Sequence, residues 1–345
     1  MGYKSVQMFT VDGGVDIWYT WRVTIKMLLH PEVSMEGKKM KKTAEIEEIE
    51  VIRKTGLARA FYTTLKAGRN YRINDPDSYE EYRQVAEAFG TSPERMVRVN
   101  QKHTDIVWDM HDDHAGTGIT SPAKLGDGMI TNTPGLMICT LEADCAPVYL
   151  LDPVKRVAGM VHSGWRGSAD MISHSAIGFM ERKYGCEPSN IIAVLGPAIC
   201  GDCYEVGDDV VAPFARNFAP EQLSRIFRNM DKSTVPVKTW TGEDGADAGM
   251  TGEDGYGDTM GMTGGAGTGV KNGSSEKSSC TGYLPTGRKF LLDIKAAVRI
   301  TLLRYGLKQD NIYDCGECTY ENENLASWRR DGDRDERMLT GIMLI

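Results

Sequence analysis

The sequence predicts one α/β (α+β) domain, and three observations lead there. Apolar runs of strand length recur: Met96 to Val99, Val148 to Leu151, Val157 to Val161 and Ile191 to Leu195. Stretches with apolar residues at helical spacing alternate with them, as in Asp77 to Phe89 and Ser168 to Tyr184. The composition, 41% hydrophobic and 26% charged over 345 residues, is that of a globular chain long enough for a large core. A net charge of −8 argues against nucleic acid as the main partner. No apolar run reaches transmembrane length, and Met1 to Met8 lacks the apolar core of a signal peptide. With eight cysteines and no secretory signal, the expectation is reduced thiols in a cytoplasm.

Taken in order, residues 1–50 form a segment of uncertain structure. Val15 to Leu29 suits a strand or two, and Lys38 to Glu50 reads as a solvated charged surface. The main domain runs over 51–345. Asp77 to Phe89 is expected as a helix that stops at Gly90, with Tyr79 and Tyr82 in the core. Met96 to Val99 is a short strand that delivers Gln101 and His103. His111 and His114 lie in a loop, where a solvated role outweighs metal binding. Met129 to Leu141 continues the strand-rich middle. Ser168 to Tyr184 is an amphipathic helix ended by Gly185, and Val206 to Phe218 reads as another. Residues 231–283 carry an imperfect Thr-Gly-Glu-Asp-Gly repeat followed by glycine-rich sequence. Such composition buries too little apolar surface to offset ordering entropy, so it reads as a disordered insert. Phe290 to Tyr305 resumes as a helix, and Ile312 to Cys318 and Leu339 to Ile345 are expected strands.

The chemistry concentrates between Cys139 and Gly167. Val148 to Leu151 and Val157 to Val161 flank the turn signal Asp152-Pro153. If these runs pair as a hairpin, their outer ends meet. Cys145 then lies close to His162, with Arg166 nearby. A lone cysteine is ordinarily a small buried hydrophobe, and a lone histidine a structural residue. The Gly164-Trp165-Arg166-Gly167 that follows adds room for a ligand and a guanidinium fork suited to an anion. A helix beginning just beyond would add free amides.

These motifs also resemble a known family. Ala143-Asp144-Cys145-Ala146-Pro147 with Val161-His162-Ser163-Gly164-Trp165-Arg166-Gly167 is similar to the YfiH family, also called laccase-domain or polyphenol oxidase proteins, some of them named peptidoglycan editing factor. The resemblance extends to Asn100-Gln101-Lys102-His103-Thr104, to Asp127 through Asn132, and to Gly196 through Cys200. Tyr204 through Gly207, Cys318-Thr319-Tyr320 and Ser327 through Gly332 fit too, in family order over roughly residues 55 to 345 apart from the insert. One departure stands near the site: Thr64, or Lys66, occupies the place of a family arginine.

The resemblance implies layered, stacked mixed sheets with helices outside. It matches His103, Cys145 and His162 to the family's metal-binding positions. Two imidazoles and one thiolate suit zinc with a fourth position open. It further implies phosphorolysis of adenosine, inosine and methylthioadenosine with phosphate as co-substrate, and deamination of adenosine. In that setting Arg166, Gln101 and Arg329 are candidate substrate-binding residues. Cys145, Asp144 and Arg166 are candidate catalytic ones, with Glu142 as another proton-transfer group and Arg330 as another anion contact. A cysteine hydrolase using Cys145 and His162, and a non-catalytic cell-wall editing factor, are the alternatives. Copper oxidation ranks lower, because a multicopper centre needs many imidazoles and the chain has six histidines. Cys200-Gly-Asp-Cys203 and Cys315-Gly-Glu-Cys318 could unite as a four-thiolate zinc site, although independent thiols are the expected state.

Overall fold

A computed structural model describes residues 6–11, 14–19, 46–65, 71, 76–228, 288–332 and 336–345. The expectations for residues 20–45, for Lys66 and for the 231–283 insert lie outside the described residues. In chain order the strands are β1 Val6–Val11, β2 Gly14–Tyr19, β3 Ile46–Glu48, β4 Ala58–Thr63, β5 Met96–Arg98, β6 Val107–Asp109, β7 Gly128–Thr131 and β8 Met137–Glu142. They continue as β9 Ala146–Asp152, β10 Val157–Ser163, β11 Ile192–Leu195, β12 Glu205–Gly207, β13 Phe227–Arg228, β14 Lys289–Leu292, β15 Ile312–Asp314 and β16 Met338–Leu344. The helices are α1 Glu50–Arg53, α2 Pro76–Ala88, α3 Trp165–Ala169, α4 Ile172–Tyr184, α5 Val211–Phe214, α6 Pro220–Ile226, α7 Ile294–Tyr305 and α8 Trp328–Asp331.

Two mixed sheets stack face to face. One has six strands in the order β15-β11-β9-β10-β7-β6, the other five in the order β3-β4-β16-β8-β5. Alternation along each strand decides what each face covers. On β9, Val148 and Leu150 pack with Ile172 and Ile177 of α4 and Val298 and Leu302 of α7. Tyr149 and Leu151 point the other way and join Ile138, Ile342 and Ala60 of the five-stranded sheet. The outer face of that second sheet, through Phe61, Met96, Met137 and Leu339, receives Tyr82, Val85 and Phe89. The result is a helix, sheet, sheet, helix stack, the layered mixed-sheet architecture expected. Burying each large aliphatic side chain contributes about 1.5–3 kcal/mol, so the hairpin strands, buried at every position, sit at the energetic centre.

The expected hairpin forms with Val161 opposite Val148 and His162 opposite Pro147. Asp152 makes its turn, Oδ1 accepting from the amides of Val154 at 2.8 Å and Lys155 at 2.9 Å.

Several expected elements are corrected. The helix from Ser168 is two helices, because Met171 adopts a left-handed φ of 59° between α3 and α4. Val206 pairs across strands with Phe290, so the expected helix Val206 to Phe218 is shorter: a 3-10 turn at Asp208–Val210 runs into the α-helical turn Val211–Phe214. The last long helix starts at Ile294 rather than Phe290, because Asp293 caps it, its Oδ1 accepting from the Ala296 amide at 2.8 Å. The strand from Ile312 ends at Asp314, whose Oδ1 accepts from the Gly316 amide in a turn. Tyr79, expected in the core, is 39% exposed and donates to Glu94, while Tyr82 is buried.

Candidate active site

The same alternation that aims Tyr149 and Met160 between the sheets aims His162 there, and Cys145 lies in the bend just before β9, at the same end of the hairpin. Glu142 ends β8 on the same inner side as Ile138. His103 arrives from the loop after β5. Ligand atoms of His103, Cys145 and His162 all lie within 4.8 Å of one another, with Cys145 Sγ 3.7 Å from His103 Nε2. Gly164 makes the approach possible: a Cβ built there would stand 2.5 Å from His103 Cδ2 and 2.9 Å from Cys145 Sγ.

Asp127 organises the cluster. Its Oδ1 accepts from His162 Nδ1 at 2.8 Å and from the His103 amide at 3.0 Å. Its Oδ2 accepts from the Thr104 amide at 2.6 Å and the Thr104 hydroxyl at 2.7 Å. This carboxylate fixes the His162 tautomer so that Nε2 is left for a ligand. It also folds the His103 loop, in which His103 itself takes a left-handed φ of 59°. Burial alone would raise the Asp127 pKa, but the bonds from His162 and Thr104 hold it well below the usual carboxylate range. Sequence reasoning placed Asp127 in a motif but gave it no role. The available signal was its position heading that motif, just before the strand that pairs with β10.

Glu142 is fully buried, and neither oxygen has a hydrogen-bond partner among the described residues. Its Oε2 lies 3.6 Å from His162 Nε2. Burial pushes the Glu142 carboxyl up to about 7. Burial would lower His162, but the Glu142 carboxylate, the Cys145 sulfur and the Asp127 bond raise it overall. His103 is lowered by burial and by the neighbouring His162.

The other sequence candidates divide. Asp144, at a φ of 83°, spends both oxygens on structure: Oδ1 accepts from Thr319 Oγ1 at 2.6 Å and Oδ2 from the Arg329 amide at 2.7 Å. Gln101 is clamped to Leu141, its Nε2 donating to the carbonyl and its Oε1 accepting from the amide, both at 2.8 Å. Arg329 donates to the Glu205 carbonyl at 2.6 Å and lies 5.0 Å above the Tyr204 ring. Arg330 is used up on loop carbonyls, including Thr319 O at 2.6 Å, and on Asp331. Arg166 is exposed, stacks at 4.2 Å on Trp165, and forms no ion pair with Asp170 among the described residues. It lies within α3, which starts at Trp165 and spans only five residues, so the helix start expected beyond it is not there. Thr64 is buried with its hydroxyl unpartnered among the described residues. His111 and His114 stay apart from the cluster, held by Asp109 and Asp113.

The donor set fits zinc. One thiolate and two imidazoles face a common point, one imidazole is backed by a carboxylate, and an orphaned buried carboxylate stands beside them. The two imidazoles are too few for a multicopper cluster.

Comparison with known proteins places the chain. It is 29% identical to the purine nucleoside phosphorylase YlmD of Bacillus subtilis over 184 residues, 51% of this chain and 66% of that protein's length. The chain thus spans less than two thirds of that relative. It is 28% identical to the purine nucleoside phosphorylase YlmD of Geobacillus stearothermophilus, over 83% of this chain and 86% of that one. The crystal structure of the latter superposes with a TM-score of 0.63 at 25% identity, covering 83% of this chain and 92% of that one. A hypothetical protein YfiH from Bacillus licheniformis shares the fold, with a TM-score of 0.66 at 23% identity, covering 89% and 98% of the two chains. The sequence profile described as multi-copper polyphenol oxidoreductase laccase matches residues 49–257 and 269–345, and this chain belongs to that family.

Proposed function

We propose that this chain is a metal-dependent purine nucleoside phosphorylase. It would act on adenosine, inosine and methylthioadenosine, with adenosine deamination as a second activity at the same site. The observation that carries the reading is the convergence of His103, Cys145 and His162 beside the buried Glu142 and the exposed Arg166. The names of the relatives supply the substrate class. In phosphorolysis a phosphate oxygen bonds to C1′ of the sugar, the N-glycosidic bond breaks, and the purine leaves with a proton, giving ribose 1-phosphate, or 5-methylthioribose 1-phosphate from methylthioadenosine. Arg166 is the group suited to hold the phosphate. Glu142, buried 3.6 Å from His162 Nε2, is the carboxyl placed to pass a proton to the departing base. Asp127 keeps His162 in one tautomer throughout. His103, Cys145 and His162 would hold zinc, which supplies Lewis-acid polarisation and, for deamination, an activated water.

Product analysis on the zinc-loaded chain tests this: adenosine with phosphate should yield adenine and ribose 1-phosphate. No free base under any metal loading would end the reading. The 3.7 Å approach of Cys145 Sγ to His103 Nε2 supports a second reading, a cysteine hydrolase with an imidazole base. Stoichiometric metal bound through the Cys145 thiolate would exclude it.

A further inference from the structure

A second group of ligand-type side chains lies outside this site. The first Cys-x-x-Cys pair does converge with other donors, but not with the whole of the second pair. Cys200 and Cys203 sit on one tight turn, in which the Cys203 and Tyr204 amides both donate to the Cys200 carbonyl at 3.1 Å. The loop after β15 runs beside it. Ala198 bridges to Cys318, the Thr319 amide donates to the Ala198 carbonyl at 3.1 Å, and the Cys200 amide points at Cys318 Sγ from 3.4 Å. Glu321 follows within a turn closed by the Asn322 amide on the Cys318 carbonyl. Its Oε1 lies 3.4 Å from Cys203 Sγ and 3.9 Å from Cys200 Sγ.

We propose that Cys200, Cys203, Cys318 and Glu321 form a second, four-coordinate metal site of structural type, suited to zinc. Their four ligand atoms lie within 4.8 Å of one another. A tetrahedron with zinc–sulfur arms of about 2.3 Å has edges of about 3.8 Å, so little movement is needed to close one ion among them. Three thiolates select a soft or borderline cation, which excludes calcium and magnesium. The donors are complete, leaving no position for substrate, which is the mark of a structural site. Cys315, the remaining cysteine of the second pair, is not among the ligands. It lies at the end of β15, its amide donating to the Leu195 carbonyl, beside Lys295 and Asp314.

The position gives the site a task. The two loops it would join both hold Asp144: the Ile199 amide donates to the Asp144 carbonyl at 3.0 Å, and Thr319 Oγ1 to its carboxylate at 2.6 Å. Asp144 immediately precedes Cys145. A metal at Cys200, Cys203, Cys318 and Glu321 therefore positions the strand entry that carries Cys145 without touching substrate. The inference does not depend on the proposed activity.

Zinc content of the full-length chain, with each site disabled in turn, separates the two centres. A His103→Ala/His162→Ala chain is expected to keep one equivalent of zinc resistant to mild chelation. A Cys203→Ser/Cys318→Ser chain is expected to lose that equivalent. Retention of all zinc by the second variant would overturn the proposal. Because those variants risk misfolding, thiol labelling of the unmutated protein gives an independent readout. Cys200, Cys203 and Cys318 should resist iodoacetamide until a strong chelator is added, then react at least about tenfold faster, as thiolates released from a metal do. Equal labelling before and after chelation, or a Cys200–Cys203 disulfide persisting under reductant, would equally overturn it.

Discussion

Asp127 Oδ1 accepts a 2.8 Å hydrogen bond from His162 Nδ1, and through the same oxygen it also holds the His103 amide. One buried carboxylate thus sets the tautomer of one imidazole and the loop that carries the other. The geometry of the candidate site and local stability therefore share a single side chain.

Asp127→Asn is expected to cost about 1–3 kcal/mol of stability at neutral pH, the range for disrupting a buried charged hydrogen-bond network. The carboxyl is held below its ordinary range, so its contribution is present above the unfolded pKa and is lost as pH falls through the folded one. Urea unfolding from pH 7 down to pH 3 should show the gap between parent and variant narrowing below about pH 5. A gap that does not change with pH would contradict this account of the network.

Gly164→Ala isolates sterics from backbone strain. Gly164 has a φ of −74°, which alanine adopts freely, yet its Cβ would intrude on His103 and Cys145. The variant should stay folded by circular dichroism while zinc affinity at this centre falls at least about tenfold, the scale seen when groups supporting a metal ligand are disturbed. Unaltered affinity would show that the two ligands have room to separate.

Glu142→Gln removes an ionisable group whose folded pKa is raised to about 7 by burial. A raised carboxyl is most favourable below its unfolded pKa and costs stability as pH rises through the folded value. In metal-stripped protein the variant should therefore be more stable than the parent at pH 8, with no such advantage at pH 4. If Glu142 transfers the proton, kcat should also drop by about 10²–10⁴-fold and the pH–rate limb near 7 should vanish. A preserved limb would assign it to another group.

Arg166→Lys replaces a planar fork with a point charge at an exposed side chain that stacks on Trp165 and forms no ion pair with Asp170. The phosphate KM should rise by about tenfold or more while the nucleoside KM stays within about twofold. Equal rises in both, or none in Arg166→Ala, would remove Arg166 from the phosphate site.

Much of this molecule was determined by the sequence alone. Alternation of apolar residues and the Asp152-Pro153 turn specify the hairpin, and the hairpin specifies that Cys145 and His162 meet. Helical spacing marks the body of α2 and α4, and Gly185 ends the latter in the left-handed conformation such an end requires. These features depend on neighbours a few residues apart, so local patterns record them.

Tertiary structure decided what long-range register controls. The strand β14 reads as helix until β12 pairs with it across the segment 208–288. Gln101 looks available for substrate until Leu141, forty residues on, takes both ends of its amide. Glu321 sits in an unremarkable polar loop until the Ala198–Cys318 bridge brings it to Cys200 and Cys203. Asp127 shows the division most plainly. Its place before a strand is legible, but its partners lie 23 to 35 residues away. A carboxylate becomes the hinge of a site only when sheet pairing brings its donors to it, because hydrogen bonds act over a few ångströms of space whatever the distance along the chain.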